Sequence, residues 1–120
     1  MNISEMIEER FVPGVKIPKP VSEFDYYVKG WGIRRGERAL IYYIPNHKNP
    51  AKPYEKGITI SEFQIALERI QIEKDITREW FNKNLARCNK EGTCNYTTLG
   101  GIFEKLGFVE YVGDGVYKVI

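Results

Sequence analysis

The chain has 120 residues, of which 42% are hydrophobic, 13% aromatic and 28% charged, a composition that fits one domain able to bury its own core. No apolar run approaches the roughly 18 residues of a membrane span, and the acidic start Met1-Asn2-Ile3-Ser4-Glu5 lacks the basic and apolar regions of a signal peptide. The sequence therefore predicts a cytoplasmic protein with no membrane partner. Two cysteines and one histidine are too few for a disulfide scaffold or a four-ligand zinc site, and no metal or cofactor is expected.

The net charge of +2 is too small to identify a polyanionic partner, but its distribution is uneven. From Lys16 to Lys52 eight lysines and arginines face only Glu23, Asp25 and Glu37, a local net of +5, whereas the second half of the chain is slightly acidic. Such a segment attracts phosphate, although scattered lysines on a solvated surface give the same count.

In chain order, Ile3, Met6, Ile7 and Arg10 stand at helical spacing after Asn2 or Ser4 as a cap, predicting a short N-terminal helix. Residues 12–20 hold three prolines and one glycine and read as an extended arm. Aromatic and β-branched residues then gather from Phe24 to Ile44 around Arg34-Arg35-Gly36-Glu37, a β-hairpin pattern in which Gly30 and Gly32 allow a bulge. A turn-rich loop over residues 45–53 follows.

Thr59 and Glu62 form a capping box ahead of the Phe63, Ala66, Leu67, Ile70 stripe of a first long helix. Asp75 or Thr77 caps a second helix with Trp80 or Phe81, Leu85 and Cys88 inward, ended near Gly92. Asn95 or Thr97 caps a third, with Leu99, Ile102, Phe103 and Leu106 on one face and Gly107 as its left-handed stop. Apolar runs flanking Gly113-Asp114-Gly115 make a closing hairpin.

The fold expected is α+β: an N-terminal aromatic β-hairpin plus a three-helix unit ending in a β-hairpin. It forms a single domain, with helix and proline-rich arm over 1–21, hairpin and loop over 22–58, and the helical unit over 59–120.

Three short helices followed at once by a tight hairpin, with Asn95-Tyr96-Thr97-Thr98-Leu99-Gly100-Gly101-Ile102-Phe103-Glu104-Lys105-Leu106-Gly107-Phe108-Val109 as the most suggestive stretch, resemble the winged helix-turn-helix over about half the chain. The resemblance is one of fold, with no specific family. It implies that the third helix enters a major groove and exposes Thr97, Thr98, Gly101 and Lys105, supported by Arg78 and Lys83 on the second helix. This unit departs from a typical DNA reader, since Glu104, Glu110 and Asp114 offset its few cations; the basic hairpin would have to supply phosphate contacts.

The residues expected to touch nucleic acid are therefore Lys29, Arg34, Arg35 and Arg38, projected into solvent by the hairpin, together with Arg78, Lys83, Thr97, Thr98 and Lys105. Trp31, Tyr26, Tyr27, Tyr42 and Tyr43 could stack on bases, but such aromatics more often fill a half-buried sheet face, since strands are enriched in Tyr and Trp. Cys88 and Cys94 flank a helix break and read as packing residues, and His47 has no nucleophile or carboxylate beside it in sequence. Gly100-Gly101 inside a helix calls for close approach of another backbone.

No Walker loop, dinucleotide fingerprint, nucleophile elbow or zinc-protease helix occurs, so an enzyme is the least supported class. The sequence points to a small DNA- or RNA-binding or regulatory accessory protein. The alternative is a protein-interaction module, docking a partner or a homodimer mate, with no nucleic-acid binding.

Overall fold

The computed structural model describes residues 2–20 and 25–120. The junction between arm and hairpin, with Glu23 and Phe24, lies outside them. The protein is a mixed α+β fold whose elements run α1 (Ile3–Arg10), β1 (Lys16–Ile17), β2 (Tyr26–Arg34), β3 (Glu37–Ile44), β4 (Tyr54–Thr59), α2 (Ile60–Glu73), β5 (Asp75–Thr77), α3 (Arg78–Asn84), α4 (Ala86–Glu91), α5 (Asn95–Lys105), β6 (Val109–Gly113) and β7 (Val116–Val119).

Two antiparallel sheets result. The first has the order β1-β2-β3-β4 and the second β5-β7-β6. The β2–β3 hairpin turns at Arg35 and Gly36, both with positive φ, and its register shifts between Val28 and Gly30, the bulge that the glycines allow. The arm read as merely extended contributes β1, which pairs Lys16 with Tyr27 and Ile17 with Tyr26. β4, from the stretch before the capping box, pairs along β3 from Ala39–Thr59 to Ile44–Tyr54 and forms the far edge of the sheet.

Asn2 caps α1 through Glu5 N, and Ile3, Ile7 and Phe11 drop into the core. Thr59 and Glu62 close the capping box of α2 in both directions, and Phe63, Ala66 and Ile70 face inward. The second helix breaks in two at Leu85, and Asp75–Thr77 ahead of it forms a strand against β7 before Thr77 caps α3. Neither Asn95 nor Thr97 caps α5. The cap position is Cys94, with no side-chain bond, because Asn95 is buried and turned to Cys88 O (2.9 Å) and the Tyr42 hydroxyl (2.5 Å).

α5 lies between the sheets, touching β1 and β4 on one side and β6 on the other, with α4 beside it. Its buried residues span every side: Tyr96, Leu99, Ile102 and Phe103, but also Asn95, Thr98, Gly100 and Gly101. A helix buried all round is a core helix, not a surface one. Edge-to-face aromatic pairs, Phe63 with Phe103 at 6.2 Å and Tyr96 with Tyr117 at 5.7 Å, join it to α2 and β7.

Candidate functional site

The residues expected to read nucleic acid are built into the fold to very different degrees. On α5, Thr98 is fully buried and accepts a hydrogen bond from Lys19 Nζ at 2.9 Å, while the same ammonium donates to Cys94 O at 3.2 Å. Thr97 donates to Cys94 O at 3.2 Å. Gly101 is pressed against the backbone of Pro18. The helix face expected to meet base edges is thus covered by residues 17–19 of the chain's own arm; of the four residues placed on that face, Lys105 is exposed, and it donates to Lys16 O at 3.2 Å.

The hairpin cations are also engaged. Arg35 does not project into solvent. With φ near +50° it folds back over α2, and its Nε and Nη2 grip both oxygens of Glu62 at 2.9 and 2.6 Å. Nη2 also donates to Gly57 O at 2.9 Å, and Nη1 pairs with Glu91. Two carboxylates on α2 and α4 draw the guanidinium inward, leaving the side chains of Arg35 and Glu62 each only 10% exposed. Arg34 joins Glu91 from the other side at 3.3 Å, so the structure brings Arg34 and Arg35 together on one acid.

Lys29 and Arg38 lie elsewhere on the sheet. Lys29 pairs with Glu55 at 2.7 Å, while Arg38 pairs with Glu8 and lies 4.5 Å from the centre of the Trp31 ring. Arg78 covers the Tyr96 ring at 4.8 Å and donates to Thr93 O at 2.7 Å. Of the stacking platforms, Tyr42 is fully buried and Tyr26 stacks on it at 6.1 Å beneath the Lys19 ammonium, Trp31 and Tyr43 are half-buried, and Tyr27 is exposed. Burial drives Lys19 down to about 8 and holds the Tyr42 phenol well above its ordinary range.

Lys83 is the one nominated cation left exposed without an ion pair or hydrogen bond among the described residues. Arg87 and Lys90, at helical spacing along α4, share this condition and were missed in the sequence because they lie outside the local +5 segment. Between Arg78 and Lys90 four cations face only Glu79. A shallow depression of about 320 Å³ beside this patch is lined by Lys83, Arg87, Asn84, Glu37 and Ile65.

A second feature was equally hidden. Ile65 and Ile72 stand exposed on the outer side of α2, away from its buried stripe, and beside Trp80. Their spacing of seven residues is legible in the sequence, but the Phe63, Ala66, Leu67, Ile70 stripe is the face singled out there, and Ile65 and Ile72 lie off it.

Cys88 and Cys94 are both unpaired thiols, and no group of His, Cys, Asp and Glu able to hold a metal occurs among the described residues. No helix is long and apolar enough to cross a membrane among those residues. No protein-family model matches the chain, and no curated protein or solved structure matches it.

Proposed function

We propose that this protein is a small nucleic-acid-binding or regulatory accessory factor that grips phosphates rather than reading bases. One observation carries the reading: Lys83, Arg87 and Lys90 stand exposed along α3 and α4 with no counter-ion among the described residues, while Arg35, Arg34, Lys29 and Arg38 are neutralised by Glu62, Glu91, Glu55 and Glu8. Arg10, Lys48, Lys52 and Lys118 are likewise exposed without an ion pair among the described residues, but Lys83, Arg87 and Lys90 lie within eight residues of one another on one short helical pair, where phosphate attraction needs no rearrangement.

The element order from α2 to β7, with its strand order β5-β7-β6, supports the winged-helix resemblance. In this reading, however, the third helix is structural, because its face is spent on residues 17–19. Binding is then indifferent to sequence, since base edges carry the sequence information and phosphates carry none.

Titration of random-sequence duplex at several salt concentrations tests this. Binding should weaken as salt rises, and Lys83→Ala/Arg87→Ala/Lys90→Ala should flatten the log–log slope by about one unit per cation lost. A parent protein that binds neither duplex nor single strand at low salt overturns the reading. Undiminished binding by the triple variant moves the surface elsewhere. A protein-interaction module is the second reading, favoured by the exposed Ile65 and Ile72.

A further inference from the structure

The outer face of α2 presents Ile65 at 43% and Ile72 at 66% exposure, opposite the buried side of the same helix. Seven residues apart, the two lie within about 20° of one another around the helix axis. Glu68 and Arg69 sit between them, and Trp80 and Asn84 of α3 wall the far side of a groove of about 300 Å³.

We infer that this groove docks a second copy of the chain, α2 against α2, antiparallel about a two-fold axis passing between Glu68 and Arg69. That axis sets Ile65 opposite Ile72 of the second copy and Glu68 opposite its Arg69. It also sets Gln64 opposite Glu73 of the second copy, an amide against a carboxylate. Every position on the stripe then meets a partner of matching chemistry, twice over, as an isologous interface requires. The parallel arrangement in the same register sets Glu68 on Glu68 and Arg69 on Arg69, two like-charge contacts in place of two attractive ones. Charge complementarity thus selects both the occupant and its direction.

The groups are poised for it. Arg69 is ion-paired with Asp75 through Nη2 at 2.8 Å, donates through Nε at 3.2 Å to the Asp75 backbone oxygen and lies 5.8 Å from the centre of the Trp80 ring. Nη1 is thus the nitrogen left without a hydrogen bond among the described residues, and the second copy's Glu68 would share this guanidinium with Asp75. Glu68 is exposed and has no hydrogen bond or ion pair among the described residues. The other apolar groove beside α2, lined by Leu67, Phe108, Val119 and Ile120, has no such self-complementary charge pair. A helix of 14 residues is about 21 Å long, short for the roughly 800 Å² per partner of a standard interface, so the association is reversible and depends on concentration.

Sedimentation equilibrium of the full chain, from low micromolar to near millimolar concentration, should fit a monomer–dimer equilibrium. Glu68→Arg replaces both attractive pairs by arginine on arginine and should weaken dimerisation by about tenfold or more; Ile72→Asp should do the same through the apolar contact. Both positions are exposed, so the melting curve at low concentration should not change. A mixture of Ile65→Cys and Ile72→Cys chains should oxidise to a peptide linking 65 to 72, read by mass spectrometry, in preference to 65–65 or 72–72. A monomer at the highest concentration overturns the proposal, as does a dimer indifferent to both charge and apolar variants. Preferred 65–65 linkage overturns the antiparallel register. None of these outcomes bears on the phosphate-binding test, which reads different residues.

Discussion

Gly101 on α5 meets the carbonyl of Pro18 so closely that a methyl group at that position would fall inside the backbone of the arm, and Gly100 meets the ring of Tyr117 in the same way. The glycine pair is what lets α5 sit between two sheets. Alanine in an open helix interior would be favoured over glycine by about 1 kcal/mol. Here the sign should reverse: Gly101→Ala and Gly100→Ala should each destabilise by about 1–3 kcal/mol, because a backbone oxygen and a fully packed ring have nowhere to go. Urea unfolding decides it, and a stabilised variant would mean that the arm does not seat on α5.

Arg35 and Glu62 make the second test. Arg35→Ala leaves a carboxylate that is buried, hydrogen-bonded to Thr59 N at 2.8 Å, and stripped of its principal counter-charge. Removing one member of a buried pair costs about 3–5 kcal/mol, far above the ~0.5 kcal/mol of a surface arginine. Glu62→Gln retains an oxygen for the Thr59 cap, so the double variant Arg35→Ala/Glu62→Gln should lose clearly less than the sum of the single changes. Additive losses would show that the two side chains are not coupled.

These residues also mark what a sequence displays and what it hides. The α2 capping box, the Gly107 stop and the closing hairpin were legible because each is decided within a few residues. β4 and β5 were not, since Tyr54–Thr59 carries Glu, Lys and Gly and Asp75–Thr77 is three residues long; both are strands because a neighbour offers them an edge. The burial of α5 was hidden in a more instructive way. Thr98 and Gly101 are small or polar and therefore resemble a solvent face, yet the Gly100-Gly101 pair asks for a close backbone approach, and Pro18 supplies it at Gly101 where two layers close on the helix. Arg35 was misread for a related reason: the acids that turn it inward lie 27 and 56 residues away along the chain.

β7 is the central strand of its sheet, bonded to β5 on one side and β6 on the other. Tyr117 within it is fully buried and packs edge-on against Tyr96 and Tyr111, at 5.7 and 5.1 Å. Deleting residues 116–120 removes that ring and strands both neighbours without a ladder. Cooperative thermal unfolding, followed by near-ultraviolet circular dichroism, should be lost. A truncated chain with the parent's melting curve would show the sheet to be dispensable.

The last test is alkaline. Burial drives Lys19 down to about 8, below its unfolded value of about 10.4, so the folded state loses that proton first and stability rises with pH between those two values. Burial pushes the Cys88 thiol up from an ordinary value of about 8.5, and there the folded state keeps its proton longer, so stability falls once pH passes that value. The two slopes have opposite sign over nearly the same range, and the parent should be roughly level between about pH 8.5 and 10. Above about pH 10 the phenols of Tyr42, Tyr96 and Tyr117, all raised by burial, join Cys88, and stability should drop steeply. Lys19→Met removes the compensating slope, so its urea midpoint should start to fall more than one pH unit earlier than the parent's. Tyr117→Phe removes one of the opposing phenols, whose hydroxyl makes only a 3.4 Å contact to Thr97 O, and should soften the drop above pH 10. Midpoints measured at half-unit intervals from pH 7.5 to 11 separate these curves; identical profiles for parent and Lys19→Met would place the Lys19 ammonium in solvent rather than between Tyr26 and Thr98.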